Sequence, residues 1–392
     1  MLSFISIPSD FGKFLVYLSR IEDGNKDDVL SFSKDLEFED FRLYYYKSEC
    51  FYREYCKDKT SEELLKRALD YAILSLRLRK KAQQVDAVCL NNLNLYLPEG
   101  SEYVKATREF VPISRIYFLL GELYACLRDD NRSRESYIKY HFYSERIDSD
   151  FENEYVYLYS FRPFSEYVIS DLVNNEITVS HASVVNDPFD SLVIPWLKIQ
   201  SQMPVGLYNY DHLKLLEQSY SYFRFRSFVT TPKLCKSDSI FRNILMWSHY
   251  ADKHKGICIC YKLSKKFYSK RDEESLKWNS LRRITYVKHA PHLIANYIYD
   301  RDAFLTKASN WSYEKEVRLL SFDPTTESKY STIKLDIESS VSSIYLGCEF
   351  PEKQIKIIEA ILPKNKKTSI IRMERDVRSQ NYYLLLPNKI EY

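Results

Sequence analysis

The hydrophobic positions in the first part of the chain recur at helical spacing. From Thr60 to Lys81 the apolar residues include Leu65, Leu69, Ala72 and Leu76, and Thr60 with Glu63 forms a capping-box signature at the start of this run. The tyrosine- and phenylalanine-rich segment 39–56 precedes a polar turn and predicts a second helix. We therefore expect residues 1–150 to form an all-helical domain.

One stretch of this region resembles a tetratricopeptide repeat, a pair of antiparallel helices. Its aromatic and small residues have the spacing of that pattern: Tyr117, Leu120, Gly121, Tyr124, Ser133, Tyr137 and Tyr140. Gly121 would let two helices approach closely, and residues 129–131 would form the turn between them. The alternative is an ordinary helical bundle. The domain would either bind a protein partner or stabilise the domain that follows.

After residue 150 the pattern changes to the alternation of half-buried strands. Residues 154–162 predict a first strand, followed by a helix at 165–174 and a strand at 177–180. Further strands are predicted at 256–261, 283–287, 317–322, 343–346 and 381–386, and helices at 210–221, 290–307 and 352–360. This order predicts a mixed α+β domain over residues 151–392, so the fold class of the whole chain is α+β.

Composition excludes several classes of protein. With 392 residues, 45% hydrophobic and 28% charged, the chain has the length of two folded domains. The net charge of +3 gives no strong field for nucleic acid or a membrane surface, and we expect a cytoplasmic protein with no membrane partner. None of the 7 glycines forms a Gly-x-Gly pair, which argues against a phosphate-binding glycine loop. The 8 cysteines lack zinc-site spacing, and we expect no zinc.

Five motifs in the second half share their order and spacing with one protein family. They are Phe161-Arg162, Asn186-Asp187-Pro188-Phe189-Asp190, Met246-Trp247-Ser248-His249-Tyr250-Ala251 with His254 and Gly256, Trp311-Ser312-Tyr313-Glu314-Lys315-Glu316-Val317-Arg318, and Ile344-Tyr345-Leu346-Gly347. Over residues 155–390 the chain resembles the bacterial family known as domain of unknown function 2971. Family membership implies no reaction by itself.

The same motifs are similar in layout to ADP-ribosyltransferases, which use NAD as a substrate. That resemblance implies that Arg162 holds the pyrophosphate or a ribose oxygen. The aromatic rings of Trp247 or Tyr250 would stack on the nicotinamide ring.

The resemblance also implies catalytic carboxylates. Glu316 would stabilise the oxocarbenium-like sugar when nicotinamide leaves, and Glu314 would orient or deprotonate the acceptor. Ser248 would support Glu316, and His249 would bond ribose hydroxyls. Helical repeats joined to such a domain suggest an effector of bacterial defence or toxin action.

Each candidate also has a structural interpretation. Glu314 would lie on a solvated surface before a strand, Arg162 would pair with Asp187 or Asp190, and the aromatic residues would belong to the core. Two other functions stay open. Asp187, Asp190, Glu314 and Glu316 would bind a divalent metal in a nuclease, or the protein would be a non-catalytic adaptor.

Overall fold

The segments of the first region that predicted helices are helical in the structure, where their residues are described. The computed structural model describes residues 39–57, 59–82, 111–143, 149–185, 218–230, 243–288, 304–362, 368–375 and 384–389, with residues 34, 36, 37, 187, 190 and 215. By their contacts, residues 1–145 and 198–219 form one unit, and residues 146–197 and 220–392 form a second.

The described part of the first unit contains two helix pairs. The helices are α1 (Phe41–Lys57), α2 (Glu62–Ala82), α3 (Ile113–Cys126) and α4 (Asp130–Phe142). Helix α1 packs on α2, α3 packs on α4, and α2 also contacts α3. Their buried faces share one core that includes Leu43, Leu65, Ile116 and Leu120. Paired helices are what a tetratricopeptide repeat contains, but the helices alone support that assignment only loosely.

The details of the helix ends differ from the prediction. Helix α2 begins at Glu62, so Ser61 rather than Thr60 precedes it, and the hydroxyl of Ser61 accepts a hydrogen bond from the amide of Leu64. Similarly, Asp130 is already helical. Asp129 caps α4 by accepting from the amide of Arg132, which makes the turn between α3 and α4 end at residue 129.

Gly121 is where α3 and α4 come closest, as the sequence predicted. A Cβ atom at Gly121 would lie 2.7 Å from a ring carbon of Tyr137, a side chain that is completely buried. The hydroxyl of Ser133 donates to the carbonyl oxygen of Gly121 at 2.8 Å. The absence of a side chain at this position therefore sets the distance between the two helices.

The second unit is built on a mixed sheet of 11 strands. The strands of this unit are β1 (Tyr155–Arg162), β2 (Glu176–Ser180), β3 (Phe223–Val229), β4 (Ile257–Ser264), β5 (Ser269–Asp272), β6 (Lys277–Arg283), β7 (Thr285–Val287), β8 (Thr306–Ala308), β9 (Glu316–Phe322), β10 (Tyr330–Lys334), β11 (Ser340–Leu346), β12 (Ser369–Arg375) and β13 (Leu384–Lys389). The sheet order is β13-β12-β11-β4-β1-β3-β9-β6-β5. Strand β2 pairs with β3 and β10, while β7 and β8 form a separate parallel pair.

Helices lie beside these strands. They are α5 (Glu166–Asn174), α6 (Ile244–Tyr250), the single turn α7 (Lys265–Tyr268) and α8 (Glu352–Ile361). Within the described ranges, no helix has both the length and the apolar character needed to cross a membrane. The predicted α+β class is therefore confirmed at the level of helices followed by a mixed sheet.

Two predicted elements need correction or lie outside the described residues. The predicted helix 290–307 ends in residues that form β8, and most of its length is outside the described ranges. The predicted helix 210–221 is described only at its end, where residues 218–220 are helical. Strand β3 was not predicted at all, because its Phe-Arg alternation has no run of aliphatic residues.

The two faces of the sheet pack against different clusters of apolar side chains. One face bears a large apolar core that includes Leu158, Phe228, Ile259 and Val317, and Leu172 of α5 and Ile358 of α8 belong to the same core. On the other face, a smaller cluster joins Phe161 and Cys258 to Trp247 of α6. Cys258 and Cys260 are both buried, and neither forms a disulfide.

The close contact at Gly121 leads to a test of the first unit. We expect Gly121→Ala to lower the free energy of unfolding by about 1–2 kcal/mol, because overpacking typically costs about 1–3 kcal/mol while alanine recovers up to about 1 kcal/mol of helix propensity. Chemical denaturation followed by far-ultraviolet circular dichroism measures this change. In a Tyr137→Leu background the same substitution should become neutral or stabilising. An equal loss in both backgrounds would contradict the proposed steric cause.

Candidate functional site

The two glutamates of the Glu-x-Glu sequence stand at the junction of a turn and a strand. Residues Ser309–Glu314 form a 3₁₀ helix, Lys315 adopts a left-handed conformation with φ of 47°, and β9 begins at Glu316. Glu314 is only 3% exposed and Glu316 only 4%. The alternative that Glu314 lies on a solvated surface is therefore wrong.

A single lysine joins the two carboxylates. Lys307 lies on β8, and its Nζ donates to Oε2 of Glu314 at 2.6 Å and to Oε2 of Glu316 at 2.9 Å. The residue is 6% exposed. Its ammonium also lies 5.2 Å from the centre of the Trp311 ring. A buried ammonium needs such partners, because an unpaired charge in the interior is very costly.

An arginine on the same strand as Glu316 continues the charged contacts. Nε of Arg318 donates to Oε1 of Glu316 at 2.7 Å, and its two terminal nitrogens donate to the two oxygens of Asp190 at 2.9 and 2.5 Å. The guanidinium also lies 4.1 Å from the centre of the Phe225 ring. We call Asp190, Glu314, Glu316, Lys307 and Arg318 the ionic cluster.

Two neutral hydroxyl groups complete the surroundings of Glu316. The hydroxyl of Ser227 on β3 donates to Oε1 of Glu316 at 2.5 Å, and the amide of Glu316 donates to the hydroxyl of Tyr286 at 2.8 Å. Ser227 thus has the supporting role that the sequence assigned to Ser248. The hydroxyl of Ser248 instead lies 3.1 Å from Nε2 of His254.

Tyr250 connects the ionic cluster to helix α6. Its hydroxyl donates to Oε1 of Glu314 in a short hydrogen bond, and the side chain is half-buried. Glu314 therefore has one oxygen on Lys307 and the other on a phenol. Two groups that reach solvent therefore bond directly to these carboxylates, Tyr250 to Glu314 and Ser227 to Glu316.

The two glutamates differ in their affinity for protons. Burial raises the pKa of Glu316, but Arg318 and Lys307 outweigh it and lower that pKa to about 2. Burial also raises the pKa of Glu314, and here the contacts with Lys307 and Tyr250 do not offset it. The surroundings of Glu316 therefore favour its ionised form, whereas those of Glu314 favour its protonated form relative to a free carboxyl group.

Strand register places Arg162 on the opposite face of the sheet from Glu316. Glu316 is opposite Val229 on β3, which is in turn opposite Tyr159 on β1. Side chains directly opposite each other in an antiparallel ladder share a face, and faces alternate along a strand. Arg162 is three residues after Tyr159, so it faces the other way.

The contacts of Arg162 agree with this placement. Its Nη1 lies 3.7 Å from Oδ2 of Asp171 on α5, on the face of the large core. Of the two alternative partners expected for Arg162, Asp187 and Asp190, the second pairs with Arg318 instead. The structure thus does not bring Arg162 together with the two glutamates.

The remaining predicted residues lie on or after α6. Trp247 is completely buried, with its ring edge-on to Phe161 at 5.0 Å between centroids, so its ring is part of the core. His249 is exposed, and its Nδ1 lies 3.0 Å from the hydroxyl of Tyr313. Of the proposed NAD-binding residues, Tyr250 and His249 are therefore the ones that reach both the surface and the neighbourhood of Glu314.

Gly256 holds α6 and its following turn against the sheet. A Cβ atom at this position would lie 2.3 Å from the carbonyl oxygen of Arg162 and 2.9 Å from that of Ala251. The amide of Gly256 donates to the carbonyl oxygen of Ala251 at 2.8 Å. This close approach fixes where α6 ends and hence where Tyr250 stands relative to β9.

Sequence reasoning assigned no role to Lys307, Ser227, Tyr286 or Arg318. A signal existed for Arg318, because a charged residue inside the apolar run Val317-Arg-Leu-Leu320 requires a buried partner. Lys307 and Ser227 carry no such signal, since Lys307 ends a segment that predicted a helix and a serine is ordinary at an exposed strand position. Within the described ranges, no group of three or more His, Cys, Asp or Glu side chains is arranged to hold a metal ion.

Comparison with known proteins identifies one family. Residues 246–319 match the family model described as protein of unknown function (DUF2971). This segment runs from α6 into β9 and contains Tyr250, Lys307 and both glutamates. The predicted family resemblance is confirmed there. No curated protein and no solved structure matches the chain significantly.

The low pKa of Glu316 predicts a pH-dependent contribution to stability. A lowering from 4.5 to about 2 corresponds to roughly 3 kcal/mol, at about 1.4 kcal/mol per pKa unit. The folded-state pKa is depressed, so this stabilisation is present above pH 4.5 and is lost as the pH falls towards 2. We expect Glu316→Gln to destabilise the protein by about that amount at neutral pH, with a smaller deficit in acid.

Urea denaturation at several pH values measures this difference. All four tryptophans, Trp196, Trp247, Trp278 and Trp311, belong to the second unit, so their fluorescence reports on that unit alone. The control is Glu338→Gln, which removes an ion pair with the largely exposed Lys266 and should change stability by less than about 1 kcal/mol. A deficit in Glu316→Gln that does not depend on pH would contradict the assignment.

Proposed function

We propose that the second unit is an ADP-ribosyltransferase-like enzyme that uses NAD as a substrate. The observation that carries the proposal is the pair Glu314 and Glu316, two carboxylates on one lysine whose pKa values are shifted in opposite directions. Paired titratable groups with diverging pKa values are typical of sites where one group stays charged and the other exchanges a proton.

The reaction needs a fixed negative charge and a base. The bond between C1′ of the ribose and the nicotinamide nitrogen breaks, and its electron pair leaves with nicotinamide. The sugar becomes oxocarbenium-like, and an acceptor nucleophile then forms a bond to C1′. The proton of the acceptor passes to a carboxylate. A carboxylate can stabilise the cationic sugar and then accept this proton.

We propose a different division of these tasks from the one expected from the sequence. Both oxygens of Glu316 already accept hydrogen bonds from Ser227, Arg318 and Lys307, so we propose that it holds the site together rather than touching the sugar. Glu314 is the reacting carboxylate in this proposal, because its Oε1 is covered only by the hydroxyl of the half-buried Tyr250 among the described contacts. A rotation of Tyr250 would open Glu314 to a ligand.

Side chains must bind NAD in this proposal, since the chain has no glycine-rich phosphate loop. Tyr250 and His249 are near Glu314 and reach solvent, and they are suited to stack on the nicotinamide ring and to bond ribose hydroxyls. Trp247 and Arg162 are left out of the binding surface, because one is core and the other faces the opposite side of the sheet.

The decisive experiment uses NAD labelled separately in the nicotinamide and in the ADP-ribose part. Incubated with a cell lysate, the protein should release nicotinamide and transfer the second label to an acceptor. We expect Glu314→Gln to reduce both by at least about 100-fold, because it removes a carboxylate that acts as base and counter-charge. Glu338→Gln should keep full activity.

Each other outcome points to a different function. Nucleic-acid cleavage that requires magnesium and disappears in Glu314→Gln would favour the nuclease, with Asp190, Glu314 and Glu316 as its carboxylates. No NAD binding by the folded protein in calorimetry would favour the adaptor. In that case the paired helices of the first unit would be the partner-binding part.

A second substitution tests the role of the phenol. We expect Tyr250→Phe to reduce nicotinamide release by about 10–100-fold, because the hydroxyl that holds Glu314 in place is lost while the ring is kept. Tyr345→Phe is the matched control, since Tyr345 is another partly buried tyrosine of the same apolar cluster but lies on β11. Equal rates for the two variants would remove Tyr250 from the mechanism.

A further inference from the structure

Lys307 pairs with all three carboxylates of the ionic cluster. Its Nζ lies 2.6 Å from Glu314, 2.9 Å from Glu316 and 3.9 Å from Asp190. Arg318 pairs with Glu316 and Asp190 but has no described contact with Glu314. Within the described part of the chain, Lys307 is therefore the cation that connects Glu314 to the other two carboxylates.

The groups that face Glu314 explain why its carboxylate needs the ammonium of Lys307. Groups from several elements face this carboxylate: Lys307 from β8, Tyr250 from α6, Glu316 from β9 and Tyr286 from β7, with Tyr313 next to it on its own turn. Only Lys307 in this set carries a positive charge. Two buried carboxylates in each other's surroundings repel, and a shared cation is what permits both to be ionised.

We propose that Lys307 is a positioning residue that holds Glu314 against Tyr250 and keeps it ionised at the pH at which the enzyme works. One oxygen of Glu314 is held by the ammonium, so the other points at the phenol hydroxyl. The indole of Trp311 and the pairing of β8 with β7, in which Tyr286 is opposite Lys307, keep the ammonium in place. This inference rests on the proposed role of Glu314 as the reacting carboxylate.

This role of Lys307 predicts how the pKa of Glu314 changes when the ammonium is removed. Without the positive charge, ionised Glu314 faces Glu316 directly, so Lys307→Met should raise the pKa of Glu314. We expect its proton-binding constant to increase by on the order of tenfold or more, equivalent to at least about one pKa unit. Lys307→Arg retains the charge and should restore the pKa most of the way towards its original value.

Nuclear magnetic resonance of the full-length protein labelled with ¹³C at the glutamate side-chain carboxyl measures this directly. The Glu314 signal is assigned by its absence in Glu314→Gln, and its titration is followed in the wild type, Lys307→Met and Lys307→Arg. Lys307→Gln is measured in parallel. Its amide still donates a hydrogen bond, which supports folding if the methionine variant does not fold.

A kinetic measurement completes the test. Nicotinamide release requires ionised Glu314, so activity falls as the pH drops through its pKa. In Lys307→Met this fall should occur at a higher pH than in the wild type, and in Lys307→Arg it should return towards the wild-type position. If Lys307 had a merely structural role, its substitution would lower stability without changing the pH at which activity falls.

The two measurements separate the two proposals. One outcome is that the wild-type protein releases no nicotinamide while the Glu314 titration is still shifted in Lys307→Met. That result would support the role of Lys307 in determining the pKa of Glu314, and it would overturn the proposed reaction. An unchanged Glu314 titration in a folded variant without the ammonium would overturn the inference. Loss of folding in both Lys307→Met and Lys307→Gln would make Lys307 purely structural and would overturn it as well.

Discussion

The pairing of buried charges beneath one face of the sheet is the constraint on which the second unit depends. The buried charges are those of Asp190, Glu314, Glu316, Lys307 and Arg318. Moving one such charge from water into a protein interior costs several kcal/mol unless a partner compensates it. These partners come from β8, β9, the 3₁₀ turn and residue 190, so all four segments must be correctly placed at once.

The sheet separates this charged region from the main core by simple alternation. Along β9, Val317 and Leu319 enter the large core, while Glu316 and Arg318 point to the opposite face. A polar network can therefore exist without interrupting the apolar contacts that stabilise the sheet. The same alternation makes Glu316 and Arg318 neighbours, because residues two apart on a strand share a face.

Local patterns predicted much of the secondary structure. The strand at 155–162 and the helices at 166–174 and 352–361 agree with the expected elements to within two residues, because alternation and helical periodicity both depend on nearby positions. Strand β3 escaped prediction because the burial of its Arg224 depends on distant partners, the carbonyl oxygens of Thr326 and Ser328. The contact of Gly121 with Tyr137 was predictable because both positions belong to one helical hairpin.

The sequence by itself determined that a strand follows Glu314, that a strand follows the segment rich in aromatic residues and histidine, and that the chain has no Gly-x-Gly pair. Only the tertiary structure decided which of these residues meet. Register between strands places Arg162 on one face and Glu316 on the other, and a shift of one residue would reverse that. The pairing of β7 with β8 brings Lys307 to the glutamates. Strand register and strand pairing depend on long-range packing, which the spacing of residues along the chain does not encode.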